Sequence, residues 1–321
     1  MAKDKNYHDM GYKELLQKKR NFIKFMRHFV EKEWVQLIDE SSLHLCDKGF
    51  VDSFFGELES DLIYRAKISE RDVYFFILTE LQSSPDFTIP FRLFKYISAI
   101  LTRVFGDTPE KERERKGFRL PVVVPIVFYN GTKGWYVTRN FKDYLQDSDL
   151  FEGVIDFEYT LVDINMLDRE YLLKNHDAIC AAIAVDKASG GGLEQLHETI
   201  IKIAHSKQDF TADEFSDFLT WFKQTAERRV GSAEAAEKAV ALIDKGDDEM
   251  MRTGLDILFD TAEARGESKG RSEGRSEGFI EAALRLIGKG KSIEEATDLL
   301  DLSDEQVEQV KQAKPPSTVA V

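Results

Sequence analysis

Apolar positions recur at helical spacing across residues 12–31. Leu15, Leu16, Ile23, Met26, Phe29 and Val30 fall on one stripe with cations between them, which predicts an amphipathic helix. A second helical stretch is expected over 31–38. The pattern then changes period. In DLIYRAKI, residues 61–68, Leu62, Tyr64, Ala66 and Ile68 alternate with Asp61, Ile63, Arg65 and Lys67, as in a strand with two distinct faces. SERD, residues 69–72, is a polar hairpin turn. VYFFILTELQ, residues 73–82, is apolar almost throughout, as a strand buried on both faces should be. SSPD at 83–86 breaks it.

Residues 91–105 return to helical spacing, with Leu93, Phe94, Ile97, Ile100, Leu101 and Val104 inward. A charged surface connection follows over 108–119. LPVVVPIVFYNG is a second buried strand ending at Asn130-Gly131, and 154–161 reads as a further strand. The resulting order, helix, strand hairpin, helix, strand, implies an α/β fold with a mixed central sheet flanked by helices.

Beyond residue 170 the chain reads as helical. Helices are expected over 171–184 and 193–205, split by SGGG at 189–192, and over 211–229 and 233–245. TADE at 211–214 has the form of a capping box. Residues 266–278, GESK-GRSE-GRSE-G, carry a glycine every fourth position. Two readings stay open: a flexible linker, or a helix whose small residues let another chain approach. Short helices are expected from 279, 292 and 303, the last two opened by capping patterns and resembling a miniature helix-turn-helix with an acidic final helix. The boundaries suggested are a first domain over 1–180, a helical extension over 181–265, the glycine repeat at 266–278 and a helical tail over 279–321.

Charge and cysteine usage narrow the setting. The formal net charge is −14, which taken alone argues against a nucleic-acid partner. The distribution qualifies this: Lys13, Lys18, Lys19, Arg20, Lys24 and Arg27 are opposed only by Glu14 within residues 13–27. Cys46 and Cys180 form no disulfide framework and no metal-like spacing, and a reducing cytoplasm suits the chain. The N-terminus has no apolar signal region and no apolar run is long enough to span a membrane, so no membrane partner is expected.

The segment with the most chemistry is ESDLIYRAKISERDVYFFILTELQSSPD. Asp61 starts one strand. Glu80 and Gln82 end the next and alternate onto one side. Hairpin pairing through residues 69–72 would bring Asp61 and Glu80 together, and two carboxylates at one sheet end suit Mg²⁺ or Mn²⁺. Glutamine at 82 would orient water or phosphate by hydrogen bonding, without the charge a lysine would bring. Strand-end acids are also common as simply solvated groups.

The run resembles the recombination-promoting nuclease/putative transposase family, a branch of the PD-(D/E)XK nuclease superfamily. The resemblance covers about residues 6–180. It rests on His8-Asp9 with Tyr12-Lys13, DLIYRAK, ELQSSPD, PFRLFKYI and LPVVVPIVFYNGTKGW in order. It implies a restriction-endonuclease-like core followed by an α-helical C-terminal half, Mg²⁺-dependent DNA cleavage, and a link to recombination or mobile elements. The aspartate of the motif maps onto Asp61 and its second acid onto Glu80. The lysine position maps onto Gln82, a departure from the superfamily.

Arg92, Lys95 and Tyr96, on the helix after the hairpin, are candidate phosphate contacts. So are Lys18, Lys19 and Arg20, which read equally well as a solvated helix face. Glu14 or Asp9 is a candidate further carboxylate. His8 reads as a capping or surface residue rather than an acid–base catalyst, and Trp135 and Tyr136 as packing. The competing function is a catalytically weak or inactive protein on the same fold, acting in DNA binding or as a homo-oligomer through its helical C-terminal half.

Overall fold

The computed structural model describes residues 6–47, 62–80, 85–131 and 133–313. Two compact units divide the chain at Asp256/Ile257. The first is built on a five-stranded sheet whose spatial order follows the sequence: β1 (Ile38–Leu45), β2 (Leu62–Ile68), β3 (Arg71–Glu80), β4 (Val122–Tyr129) and β5 (Thr160–Asp163). β1, β2 and β3 pair antiparallel, while β3–β4 and β4–β5 pair parallel. This is the mixed sheet expected from the sequence. The β3–β4 crossover runs through a helix, α3 (Ile89–Asp107), as parallel neighbours require.

The β2–β3 hairpin forms where SERD was expected to turn. Ser69 and Glu70 both take positive φ, 49° and 64°, so the two-residue loop has the backbone hand that matches strand twist. Strand β3 is central, and every residue from Val73 to Thr79 is buried. On one face Phe76 and Leu78 meet Leu93, Tyr96 and Ile100 of α3, with the Phe76 and Tyr96 rings stacked 4.1 Å apart.

The other face is covered by α1 (Asn6–Leu16), α2 (Lys19–Phe29) and, later in the chain, α5 (Ala178–Ser189). Phe22 of α2 stacks on Tyr64 at 4.1 Å, and Phe25 meets Phe128 edge-on at 5.6 Å. The core of this unit is therefore a sheet between two helical layers.

Several boundaries differ from the sequence reading. The single helix expected over 12–31 is two helices, α1 and α2, parted at Gln17-Lys18. Residues 31–38 hold one 3₁₀ turn (Glu33–Leu37) and then the edge strand β1, which carries too few apolar residues to read as a strand. β1 also shifts register between Asp39 and His44, a feature that blunts a sheet edge. The strand expected over 154–161 lies at Thr160–Asp163. The helix expected over 171–184 is α4 (Arg169–Lys174) and then α5, which starts where the Asp177 carboxylate caps the amides of Ile179 and Cys180.

Four further helices complete the order: α6 (Leu193–His205), α7 (Ala212–Val230), α8 (Ala233–Lys245) and α9 (Asp248–Gly288). α7 opens with the expected capping box between Thr211 and Glu214. α9 is 41 residues long and runs unbroken through residues 266–278, where the sequence left both a flexible linker and a helix open. In the second unit α10 (Ile293–Leu299) and α11 (Asp304–Gln312) each begin with a capping box, at Ser292 with Glu295 and at Ser303 with Gln306. Among the described residues no helix is long and apolar enough to cross a membrane.

Candidate functional site

In sheets with parallel strands, ligands gather beyond the carboxyl ends of those strands. Here that end is formed by β3, β4 and β5, with Glu80 paired to Tyr129 and Tyr129 to Asp163. Glu80 closes β3, in phase with positions 74, 76 and 78 of the strand. Asp61 immediately precedes β2, and Gln82 follows β3 by two residues. Both lie outside the described residues.

The antiparallel ladder between β2 and β3 is regular throughout. It runs from Ile68 opposite Arg71 at the turn to Leu62 opposite Ile77, without a bulge. The hairpin thus brings the start of β2, Leu62, to the end of the sheet where β3 finishes. This is the geometric consequence of a two-residue loop: each step from the turn on one strand is matched by a step on the other.

α3 begins beside this end. Asp86 accepts bonds from the Thr88 amide at 2.8 Å and the Thr88 hydroxyl at 2.7 Å, and Arg92 sits 3.5 Å from its carboxylate. Partial burial works against ionisation of Asp86, but the Thr88 bonds and the Arg92 charge outweigh it, leaving the carboxyl below its ordinary range. Arg92 and Lys95 are part-exposed. Tyr96 is 3% exposed and its ring belongs to the core, a packing role the helical pattern did not disclose.

On the opposite face a polar cluster ties the loop after β4 to two helices. Asp186 of α5 accepts bonds from the Tyr12 hydroxyl, at 2.9 Å, and from the Asn130 side-chain amide. Burial, reinforced by the Asp186 charge, pushes the Tyr12 phenol well up, so it acts as a fixed donor. Asn165 donates to the Gly131 carbonyl at 2.8 Å and to Asp163 at 2.8 Å, locking the ends of β4 and β5 to each other. Asn130-Gly131 is therefore anchored rather than a bare turn. His8 and Asp9 fall in α1, four and three positions ahead of Tyr12. Asp186 was not singled out in the sequence, since nothing in a helical run at 178–189 marks one acid as the partner of Tyr12.

The basic run is largely neutralised from within. Lys18 pairs with Asp217 of α7 at 2.5 Å, and Arg20 pairs with Asp217 and Asp213, each at 2.6 Å. Lys24 pairs with Glu214, and Arg27 with Glu40. Glu14 faces Arg228 at 3.5 Å, which gives that acid a partner in α7. Lys19 is exposed and makes no ion pair among the described residues. Except for Glu40, 13 residues from Arg27, these partners lie about 200 residues away in the chain, so the local cation count overstates the charge open to a phosphate backbone.

Comparison with known proteins places this architecture. The model of the family described as "Putative transposase, YhgA-like" matches residues 6–214. The chain is 28% identical over 169 residues to the recombination-promoting nuclease RpnD of Escherichia coli O157:H7, covering 52% of this chain and 62% of that one. It is 25% identical over 169 residues to the recombination-promoting nuclease RpnC of Escherichia coli K12, covering 52% and 54%. It is also 25% identical over 170 residues to a protein of the same strain named the inactive recombination-promoting nuclease-like protein RpnE, again covering 52% and 54%. The matches thus span between about half and three fifths of these relatives' own length. No solved structure matches the chain.

Proposed function

From the fact that the chain belongs to the YhgA-like putative transposase family, we propose that it is a metal-dependent DNA endonuclease whose centre is the open end of the β2–β3 hairpin. The observation that carries the proposal is the unbroken ladder. Were the ladder to continue by one step beyond Leu62 opposite Ile77, position 61 would fall opposite Leu78, diagonal to position 80. Diagonal neighbours in an antiparallel pair lie roughly 7–8 Å apart at Cα, within the combined reach of two carboxylates around one ion.

The donor set fits a hard divalent cation. Asp61 and Glu80 offer carboxylate oxygens and Gln82 an amide oxygen, the chemistry that Mg²⁺ and Mn²⁺ accept. A bound ion would supply Lewis acidity at the scissile phosphate and acidify a water molecule. The residues of the chain provide the rest. Asp61 and Glu80 hold the cation position from two strands fixed by one hairpin. Gln82, in phase with Glu80, orients water or phosphate by hydrogen bonding alone. Arg92 and Lys95, with Lys19, supply positive charge to the DNA backbone. Recombination of DNA is the setting that the names of RpnD and RpnC support.

The second reading is a protein of the same fold that binds DNA or assembles without cutting it. The name of RpnE, an inactive relative at the same level of identity, favours it, as does Gln82 in place of a lysine. Supercoiled plasmid incubated with the full chain separates the two. The endonuclease reading predicts nicked or linear product with Mg²⁺ or Mn²⁺, and its loss in Asp61→Ala with the far-ultraviolet dichroism unchanged. Equal cleavage by wild type and Asp61→Ala would remove Asp61 from the centre.

A further inference from the structure

His28, Asp177 and Cys180 come together where the end of α2 meets the first turn of α5. Each offers one ligand atom, and these three atoms lie within 4.8 Å of one another. His28 lies 149 residues before Asp177, so no spacing rule reveals the group. It lies on the helical layer opposite α3, apart from the hairpin end that holds Glu80.

The remaining polar atoms of the three residues are already committed. The second ring nitrogen of His28, Nδ1, lies 3.0 Å from the Tyr171 hydroxyl, which leaves Nε2 facing Asp177 Oδ2 at 2.9 Å. Asp177 Oδ1 accepts the Ile179 and Cys180 amides at 3.1 and 3.0 Å, which fixes the carboxylate and leaves Oδ2 to face the histidine. Outer hydrogen bonds of this kind orient ligands in built metal sites. Cys180 sits in the first turn of α5, three residues after its Asp177 cap. Asp177 and Cys180 are buried, and the His28 side chain, 18% exposed, leaves a way in.

We propose that His28 Nε2, Asp177 Oδ2 and Cys180 Sγ form a second metal site, for a borderline-soft ion such as Zn²⁺, distinct from the hard-cation centre of the hairpin. Mixed nitrogen, oxygen and sulfur donors of this kind select Zn²⁺ over Mg²⁺, and three protein ligands leave one position for water. Binding requires the thiolate, so the Cys180 proton passes to solvent as the Sγ–metal bond forms: one proton is released for each ion taken up.

The test uses the full chain, reduced and stripped of metal, titrated with Co²⁺ as a spectroscopic stand-in for Zn²⁺. The expected result is a thiolate-to-cobalt charge-transfer band that saturates at one equivalent and is removed by one equivalent of Zn²⁺. It should persist in Cys46→Ser and in Asp61→Ala, which separates this site from the other cysteine and from the nuclease reading. It should vanish in Cys180→Ser and His28→Gln. The second substitution keeps a hydrogen bond to Asp177 and decides the matter should the first fail to fold. No band in the wild type, or a band that survives in His28→Gln, overturns the proposal.

Discussion

Gly11 marks the closest approach of α1 to α7. A β-carbon at that position would lie 3.1 Å from Trp221 Nε1 and 3.2 Å from Thr225 Oγ1, both on α7. An alanine there gains helix propensity of up to about 1 kcal/mol, which offsets part of the crowding. A branched side chain has no such compensation. Gly11→Val is expected to destabilise the protein by about 1–3 kcal/mol, read as a lower urea midpoint at unchanged slope. Asp217 is the other residue on which the α1–α2 layer depends. It is buried and takes bonds from Arg20 at 2.6 and 2.8 Å, from Lys18 at 2.5 Å and from Asn21 at 3.1 Å. Burial raises the cost of its charge, but these partners outweigh it and hold its carboxyl below the ordinary range. A depressed folded pKa gives stability that is present above the unfolded value and lost as pH falls through the folded one. Asp217→Asn should therefore be less stable than wild type at neutral pH, and the gap should close below about pH 4. A gap that stays constant from pH 7 to pH 3 would contradict the assignment.

At the scale of elements, the β2–β3 hairpin sets the relation between the strand that follows Asp61 and the strand that ends at Glu80. Its turn uses Ser69 and Glu70 in a left-handed conformation that costs L-residues roughly 1–2 kcal/mol each. Replacing the pair with Asn-Gly should raise stability by about 1 kcal/mol and leave the pairing register untouched, measurable as a higher Tm with the same activity. This hairpin, β3, β4 and α3 were legible in the sequence because each carries a strong periodic signal: alternation in DLIYRAKI, a continuous apolar run in VYFFILT, and a helical stripe from Leu93 to Val104. β1 was not legible, since Asp39, Glu40 and Ser41 are exposed on an edge and need no apolar pattern. The breaks at Lys18 and Asp177 were missed for other reasons. Lys18 bonds to Asp217 across the fold, a partner of which local propensity carries no trace, while Asp177 caps the Ile179 and Cys180 amides locally, a signal the helical pattern from Tyr171 masked. The glycine repeat shows tertiary and helical context overriding composition, with four glycines inside one helix at about 1 kcal/mol each relative to alanine.

For the whole molecule, the net charge of −14 and the internal pairing of Lys18, Arg20, Lys24 and Arg27 limit the charge available to the DNA of the proposed function. On the proposed function, Lys19, Lys95 and Arg92, the last released from Asp86, together neutralise roughly three phosphates. The logarithm of the DNA binding constant should then fall with the logarithm of salt concentration at a slope of about −3. A slope near −8 would mean that the ion pairs between α2 and α7 open on binding. The proposed function requires one hard ion to be held jointly by Asp61 and Glu80. Calorimetric titration with Mn²⁺ of wild type, Asp61→Asn, Glu80→Gln and the double variant measures this directly. Shared ligation predicts that each single substitution removes the hairpin-site binding as completely as the pair does. Independent, additive losses, or full Mn²⁺ uptake in either single variant, would contradict it.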